Sequence, residues 1–245
     1  MFLSNSRKFI FIHITKAAGT SITYALEKSM GWNDLVIGST PLGAELQKYY
    51  LERFNLQKHS KAVEVRQVIG NDLWEDYFTF TFTRHPYTRV LSLYTYIEKQ
   101  VLGKGWKRYL RGFPFTKIHW AKIWNWPATR AYLDTNSFSE FIRHPIMVRE
   151  PGMKPQSEWL LDQDRNVMVD FIGQVESIEK DFAFVLDQAG LDSAPLQVYN
   201  KSQRKDRQPP EITEEDYAYL GKVFESDFQV LNYDPALRIP RTKSG

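Results

Sequence analysis

A lysine, small residues and two hydroxyl residues stand together near the start of the chain, in Lys16-Ala17-Ala18-Gly19-Thr20-Ser21. Small residues let main-chain N–H groups approach an anion closely, and a helix start adds a partial positive charge. Lys16 adds a full charge, and Thr20 and Ser21 add hydroxyl donors. The segment predicts a turn that binds phosphate or sulfate, with an ordinary strand-to-helix turn as the alternative. It is not a Walker A motif, because Lys16 precedes the glycine instead of following it.

A second group of residues suited to anion binding lies between Arg84 and Ser92. We expect Arg84 at the carboxyl end of a strand, which is the edge where open α/β sheets bind ligands. Ser92 follows about two helical turns later along a helix. A guanidinium group can bind a phosphate through two hydrogen bonds while a serine hydroxyl donates to it. Arg84 and Ser92 therefore form a second predicted anion site.

Alternating strands and helices must position these two segments. The apolar run Phe9–Ile14 predicts a buried strand, and the apolar residues after Gly19 recur at helical spacing. Further strands are predicted at Tyr77–Thr83 and Val167–Ile172, each followed by a helical pattern, and Pro86 suits the first turn of the second helix. Thr213 and Asp216 resemble a capping box at the start of a last helix. The order predicts an α/β fold with a parallel sheet.

The remaining sequence gives no sign of a second domain, so residues 1–245 are predicted to form one domain. Residues 99–166 are predicted to be a long, irregular, tryptophan-rich region. They hold five tryptophans, at positions 106, 120, 124, 126 and 159. Indole faces pack well on sugar rings, although aromatic residues more often belong to a core. A polar tail is expected at 236–245.

Composition excludes several classes of protein. The chain has no cysteine and therefore no disulfide or thiolate metal site, and no clustered acidic or His-x-x-x-His site indicates a metal. Its net charge of +3 is too small to indicate a nucleic-acid-binding protein. The run Phe9–Ile14 is too short for a signal peptide or a membrane span. We expect a soluble, cytoplasmic protein. The alternative is a Golgi luminal domain without the stem that attaches it to the membrane. The sequence does not indicate the oligomeric state.

The two anion-binding segments resemble the sulfotransferases that use 3′-phosphoadenosine 5′-phosphosulfate (PAPS), in particular the family of carbohydrate 2-O- and chondroitin-type enzymes and their bacterial relatives. The resemblance covers most of the chain. It rests on residues 11–22, 82–94, 170–176 with 181–182, 200–202, and 227–228 before Tyr233. The sequence departs from the usual pattern at Thr15, where proline is common, at His85, where Asn or Asp is usual, and at Gln174, where arginine is frequent.

This resemblance implies a sulfotransferase fold, with a P-loop-like parallel sheet flanked by helices, and PAPS as the co-substrate. It implies that Lys16-Ala17-Ala18-Gly19-Thr20-Ser21 binds the 5′-phosphosulfate and that Arg84 and Ser92 bind the 3′-phosphate. Lys16 would stabilise the leaving group, adenosine 3′,5′-bisphosphate. The basic loop 200–207 could close over the nucleotide, and the cofactor-binding residues expected there are Lys201, Ser202 and Arg204.

The resemblance also implies a catalytic base between the two segments, and His59 occupies that interval. A neutral imidazole can accept the proton of an attacking hydroxyl. The alternative for His59 is an exposed surface histidine at a helix start, with Glu64 as the fallback base. His13 lies inside the first strand and is expected to support the following turn.

Three alternatives for the function remain open. The acceptor, expected to be a glycan hydroxyl, could instead be a tyrosine or a small alcohol. A P-loop kinase would share an anion-binding turn, but it would need a lysine after the glycine and an acidic Mg²⁺ ligand. A nucleotide-binding module without turnover is the third.

Overall fold

The computed structural model describes residues 1–103, 125–192, 196–197 and 210–239. In this part of the chain, five strands form one sheet: Phe2–Ser4 (β1), Phe9–Ile12 (β2), Leu35–Val36 (β3), Phe78–Thr83 (β4) and Phe171–Gln174 (β5). The helices are Gly19–Glu27 (α1), Pro41–Phe54 (α2), Ala62–Ile69 (α3), Asn71–Asp76 (α4), Pro86–Gly103 (α5), Pro127–Asp134 (α6), Phe138–Arg143 (α7), Ile178–Gln188 (α8), Glu214–Val223 (α9) and Glu225–Val230 (α10). Among the described residues, no helix combines the length and the apolar character that a membrane span requires.

The chain divides into two compact units. Of the described residues, the first unit holds 1–85, 156–192, 196–197 and 229–232, and it contains the whole sheet. The second holds 86–103, 125–155, 210–228 and 233–239. The expectation of one domain stays a prediction.

The sheet has the strand order β3-β1-β2-β4-β5. Strands β2, β4 and β5 are parallel neighbours, and β1 runs antiparallel to both β2 and β3. After β2 the chain forms β3, which lies beyond β1 on one side of β2, and then β4, which is the neighbour of β2 on its other side. The carboxyl end of β2 therefore lies at the point where the strand order reverses, which is where open α/β sheets bind ligands.

Both faces of the central strands are buried. Phe80 and Phe82 pack with residues of β2, α1 and α8 in one core. The threonines that alternate with them face the other way and are equally buried. Thr81 donates a hydrogen bond to the main-chain oxygen of Ile12 at 2.7 Å, and Thr79 donates one to the carboxylate of Asp170 at 2.8 Å. These bonds remove the cost of burying a hydroxyl group without a partner.

The second unit has its own core around α5. This core joins apolar residues of α5, α6, α7 and α9, with Tyr87, Phe141 and Phe224 among its largest side chains. Arg89 is fully buried in this unit, and its guanidinium donates to the main-chain oxygens of Lys154 and Pro151 at 2.8 and 3.1 Å. A buried guanidinium needs such acceptors, because an unpaired charge in a core is costly.

The structure confirms the mixed α/β class with a mostly parallel sheet, whereas the P-loop-like detail stays a prediction. Pro86 begins α5, and Thr213 and Asp216 form the predicted capping box at 3.0 and 3.2 Å. The strand predicted at Val167–Ile172 was misplaced, because β5 begins at Phe171 and Val167 forms only an isolated bridge with Leu161. The irregular region predicted at 99–166 was also partly wrong, since it contains α6 and α7.

Candidate functional site

The turn between β2 and α1 contains two residues with left-handed main-chain geometry. Lys16 has a φ angle of 66° and Ala18 a φ angle of 56°. This geometry costs residues other than glycine on the order of 1 kcal/mol each, and it can direct successive N–H groups toward one concave face. Ala18 is the N-cap of α1 and supplies no side-chain acceptor, whereas Thr40 accepts from the N–H of Gly43 at the start of α2. The start of α1 has the form that suits an external anion.

The imidazole of His13 packs against this turn. A Cβ atom on Gly19 would lie 2.2 Å from both Cδ2 and Nε2 of His13, so a glycine is required for the ring to come this close. His13 is buried, and its Nδ1 lies 3.3 Å from the hydroxyl of Ser39. Burial, followed by electrostatic interactions with His59, the amino group of Met1 and Lys58, holds the pKa of His13 well below its ordinary value. His13 is therefore neutral at physiological pH.

His59 lies beside His13, in the turn between α2 and α3. Its Nδ1 donates to the main-chain oxygen of His13 at 2.7 Å. Because a carbonyl oxygen can only accept, the proton lies on Nδ1, and Nε2 carries the lone pair of the neutral ring. The two rings meet edge to face, with centroids 4.7 Å apart. His59 is half-buried with a defined tautomer, unlike the exposed surface histidine of the alternative.

A second hydrogen bond holds the main chain of His59. The indole Nε1 of Trp159 donates to the main-chain oxygen of His59 at 2.8 Å, and Trp159 is buried. The neighbouring Lys61 ammonium lies 3.2 Å from the carboxylate of Glu158 and 5.9 Å from the Trp159 ring centroid. The loop that carries His59 is therefore attached to the turn Gln156–Trp159 at several points.

Lys58 precedes His59 and is half-buried. Its aliphatic stem covers Gly38, since a Cβ atom there would lie 2.7 Å from Cβ and Cδ of Lys58. Gly38 has a φ angle of 73°, which also favours glycine. Burial lowers the pKa of Lys58 from its ordinary value to about 8. The ammonium group therefore remains largely protonated at neutral pH.

Arg84 and His85 follow β4, next to the carboxyl end of β2. The side-chain amide of Gln156 accepts from the N–H of Arg84 at 2.9 Å and donates to its carbonyl oxygen at 2.8 Å. Glu176 accepts from the N–H of His85 at 2.9 Å. The main chain at Arg84 is thus fixed by the buried side chain of Gln156, at the same sheet edge as the Lys16 turn.

A sequence model of the sulfotransferase family matches residues 1–234. The chain belongs to the sulfotransferase family. An uncharacterized protein of Archaeoglobus fulgidus is 26% identical over 127 residues, which span 52% of this chain and 79% of that protein. No solved structure gives a significant match.

The predicted residues Lys16-Ala17-Ala18-Gly19-Thr20-Ser21, His59 and Arg84 all lie in the first unit. The Lys16 turn and Arg84 follow neighbouring strands, and His59 contacts His13 beside that turn. Glu64, the fallback base, has a structural role, since its carboxylate accepts from the N–H of Lys61 at 2.8 Å in the first turn of α3. Ser92 is buried on α5 of the second unit. Lys201, Ser202 and Arg204 lie outside the described residues, as do the tryptophans at 106, 120 and 124.

Four side chains of the candidate site were not predicted: Ser39, Lys58, Gln156 and Trp159. Lys58 had a weak signal, because it adjoins the predicted base. Gln156 and Trp159 contact residues 72 and 100 positions away, respectively, and no local pattern reveals such contacts. The clustering of tryptophans suggested indole faces that pack on a sugar ring. Trp159 instead donates a hydrogen bond from its indole nitrogen to the main-chain oxygen of His59.

Proposed function

We propose that this protein transfers a sulfuryl group from PAPS to a hydroxyl group, and that the acceptor is a carbohydrate. Membership of the sulfotransferase family gives the reaction class. The strongest support from the geometry is the position of His59, whose neutral tautomer presents a basic Nε2 at the sheet edge that also carries the Lys16 turn. The carbohydrate acceptor is proposed from the resemblance of the sequence to carbohydrate sulfotransferases.

The turn from Lys16 to Ser21 is proposed to hold the 5′-phosphosulfate of the donor. Its left-handed residues, the uncapped start of α1 and the lysine charge all suit a dianionic group. Arg84 is proposed to bind the 3′-phosphate, because it follows the neighbouring strand and its main chain is fixed. A guanidinium group is well suited to hold a phosphate through paired hydrogen bonds.

The proposed reaction is an in-line displacement at sulfur. The acceptor oxygen forms a bond to sulfur while the bond from sulfur to the 5′-phosphate oxygen breaks, and that oxygen keeps the electron pair. Nε2 of His59 takes the hydroxyl proton, and Lys16 stabilises the charge on adenosine 3′,5′-bisphosphate as it leaves. By analogy with phosphoryl transfer, positioning and electrostatics supply most of the rate acceleration.

Calorimetric binding of adenosine 3′,5′-bisphosphate, with and without EDTA, tests the donor site. We expect binding that is unaffected by EDTA and that is much weaker for AMP, which lacks the 3′-phosphate. The ATP control, with Mg²⁺, tests the kinase alternative. A preference for ATP with Mg²⁺, or no binding of the bisphosphate, would overturn the proposal.

A further inference from the structure

The ammonium group of Lys58 has no hydrogen-bond or ion-pair partner among the residues that the structure describes, although the side chain is half-buried. Three other lysines of the first unit lie opposite carboxylates at 2.9–3.6 Å: Lys8 opposite Asp76, Lys48 opposite Glu52, and Lys61 opposite Glu158. A charge withdrawn from water without a partner is unfavourable. A bound ligand could supply the missing partner.

The position of Lys58 places its charge near the proposed base. Lys58 directly precedes His59, and its aliphatic side chain packs on Gly38. The next residue is Ser39, whose hydroxyl contacts His13. The charge of Lys58 also contributes to the low pKa of His13. Lys58 therefore lies in the same group of residues as His13 and His59. It belongs to the loop between α2 and α3, whereas Lys16 belongs to the turn between β2 and α1.

The geometry of in-line transfer then limits which group Lys58 can meet. The attacking and leaving oxygens lie on opposite sides of sulfur, and the base must adjoin the attacking oxygen. A cation on the loop of the base is thus on the acceptor side of sulfur, away from the leaving phosphate. The negatively charged groups expected there are the sulfuryl oxygens of the donor and any anionic substituent of the acceptor.

We propose that Lys58 binds an oxyanion on the acceptor side of the site, either the sulfuryl group of PAPS or an acidic group of the acceptor. This inference rests on the proposed function and adds a residue and a ligand chemistry to it. The half-buried ammonium binds an oxyanion more strongly than an exposed lysine does, because less water competes for the charge.

Calorimetry on the whole chain tests the inference with inorganic sulfate as the probe. Sulfate is titrated into the protein saturated with adenosine 3′,5′-bisphosphate, which leaves the sulfuryl position open. We expect Lys58→Met to weaken sulfate binding at least tenfold and Lys58→Arg to retain most of it. The control Lys48→Met removes an exposed lysine of α2 and leaves sulfate binding unchanged.

Two further titrations distinguish the sources of the oxyanion. If Lys58 binds the sulfuryl group, Lys58→Met weakens PAPS binding without changing the affinity for the bisphosphate. If it binds the acceptor, the variant weakens binding of 4-nitrophenyl glucuronide but not of the uncharged 4-nitrophenyl glucoside. Wild-type affinity of Lys58→Met for sulfate, PAPS and the glucuronide overturns the inference. Loss of bisphosphate binding by the wild-type protein would instead overturn the proposed function.

Discussion

The indole nitrogen of Trp159 donates to the main-chain oxygen of His59 over 2.8 Å, across 100 positions of sequence. His59 in turn donates from Nδ1 to the main-chain oxygen of His13. The proposed base is therefore held at its ring by His13, which follows β2, and at its main chain by the turn Gln156–Trp159. Such support restricts the positions that Nε2 can take, which general-base catalysis requires.

Replacing Trp159 by phenylalanine removes the indole donor and keeps much of the ring volume. We expect kcat to fall about three- to tenfold, because one net hydrogen bond is worth about 1 kcal/mol, while bisphosphate affinity stays the same. Steady-state kinetics and calorimetry measure the two quantities. Trp32→Phe is the control, since Trp32 is 97% exposed. A wild-type kcat in Trp159→Phe would show that this bond does not position the base.

Replacing His59 tests its assignment as the base. We expect His59→Ala to lower kcat by about 10²–10⁴ with little change in bisphosphate affinity. His59→Asn gives a sharper test, because its amide can still donate to the main-chain oxygen of His13 but cannot accept the proton. If bisphosphate affinity collapses in both variants, His59 is a binding residue.

Glu64, the alternative candidate for the base, gives a comparison with His59. Glu64 caps the first turn of α3 through the N–H of Lys61. We therefore expect Glu64→Gln to lower stability by about 1 kcal/mol or less and to leave kcat near the wild-type value. Urea unfolding and steady-state kinetics measure these effects. A loss of kcat in this variant comparable to that of His59→Ala would make Glu64 the base.

Removing the charge of Lys16 tests the assignment of the turn. We expect Lys16→Met to lower kcat by about 10²–10³, because the charge that forms on the leaving phosphate loses its counter-charge. The thermal midpoint should change little, since Lys16 is half-buried in a turn. Lys8→Met, which removes an exposed ion pair with Asp76, is the matched control. Near-normal turnover in Lys16→Met would contradict the assignment.

The segments that the sequence predicted well are those whose structure is determined locally. The continuous apolar run of β2, the turn of small residues and the helical spacing after Gly19 all act within a few residues. Pro86 and the Thr213 capping box are likewise local signals. Candidate site residues on these segments could therefore be named from sequence.

The segments that the sequence predicted poorly depend on distant partners. β1 and β3 have only three and two residues, so they exist through pairing with each other and with β2. Val167 has the residue type of a strand, but β4 pairs with Phe171–Gln174 instead. The neutral state of His13 depends on burial and on three neighbouring ionisable groups, none of which can be read from its own segment.

Gly19 and Gly221 should respond in opposite ways to alanine. A Cβ at Gly19 would overlap the ring of His13 at 2.2 Å, so Gly19→Ala should cost about 1–3 kcal/mol of stability and also reduce turnover. At Gly221, on α9, the nearest atom to a new Cβ is 3.5 Å away, so alanine should stabilise the helix by about 0.5–1 kcal/mol. Urea unfolding measures both. A stable, fully active Gly19→Ala would contradict the packing of His13 on the turn.

The buried His13 should make the stability of the protein depend on pH. Burial, followed by electrostatic interactions with His59, the amino group of Met1 and Lys58, places its pKa well below the value of about 6.5 expected in the unfolded chain. Below pH 6.5, the unfolded chain binds a proton that folded His13 does not. The free energy of unfolding therefore falls as the pH drops, by up to about 1.4 kcal/mol per pH unit from this residue, and the full contribution is present above pH 6.5.

Urea unfolding at pH 7.5 and pH 5.5 measures this contribution in the wild type and in His13→Gln, which cannot titrate. We expect the variant to be less stable at pH 7.5, because the packing against Gly19 changes, but to lose less stability between the two pH values. The difference between the two losses isolates His13 from the other groups that titrate in this range. Equal losses would mean that folded His13 accepts a proton near pH 6.5, which its buried position against Gly19 and its ionisable neighbours should prevent.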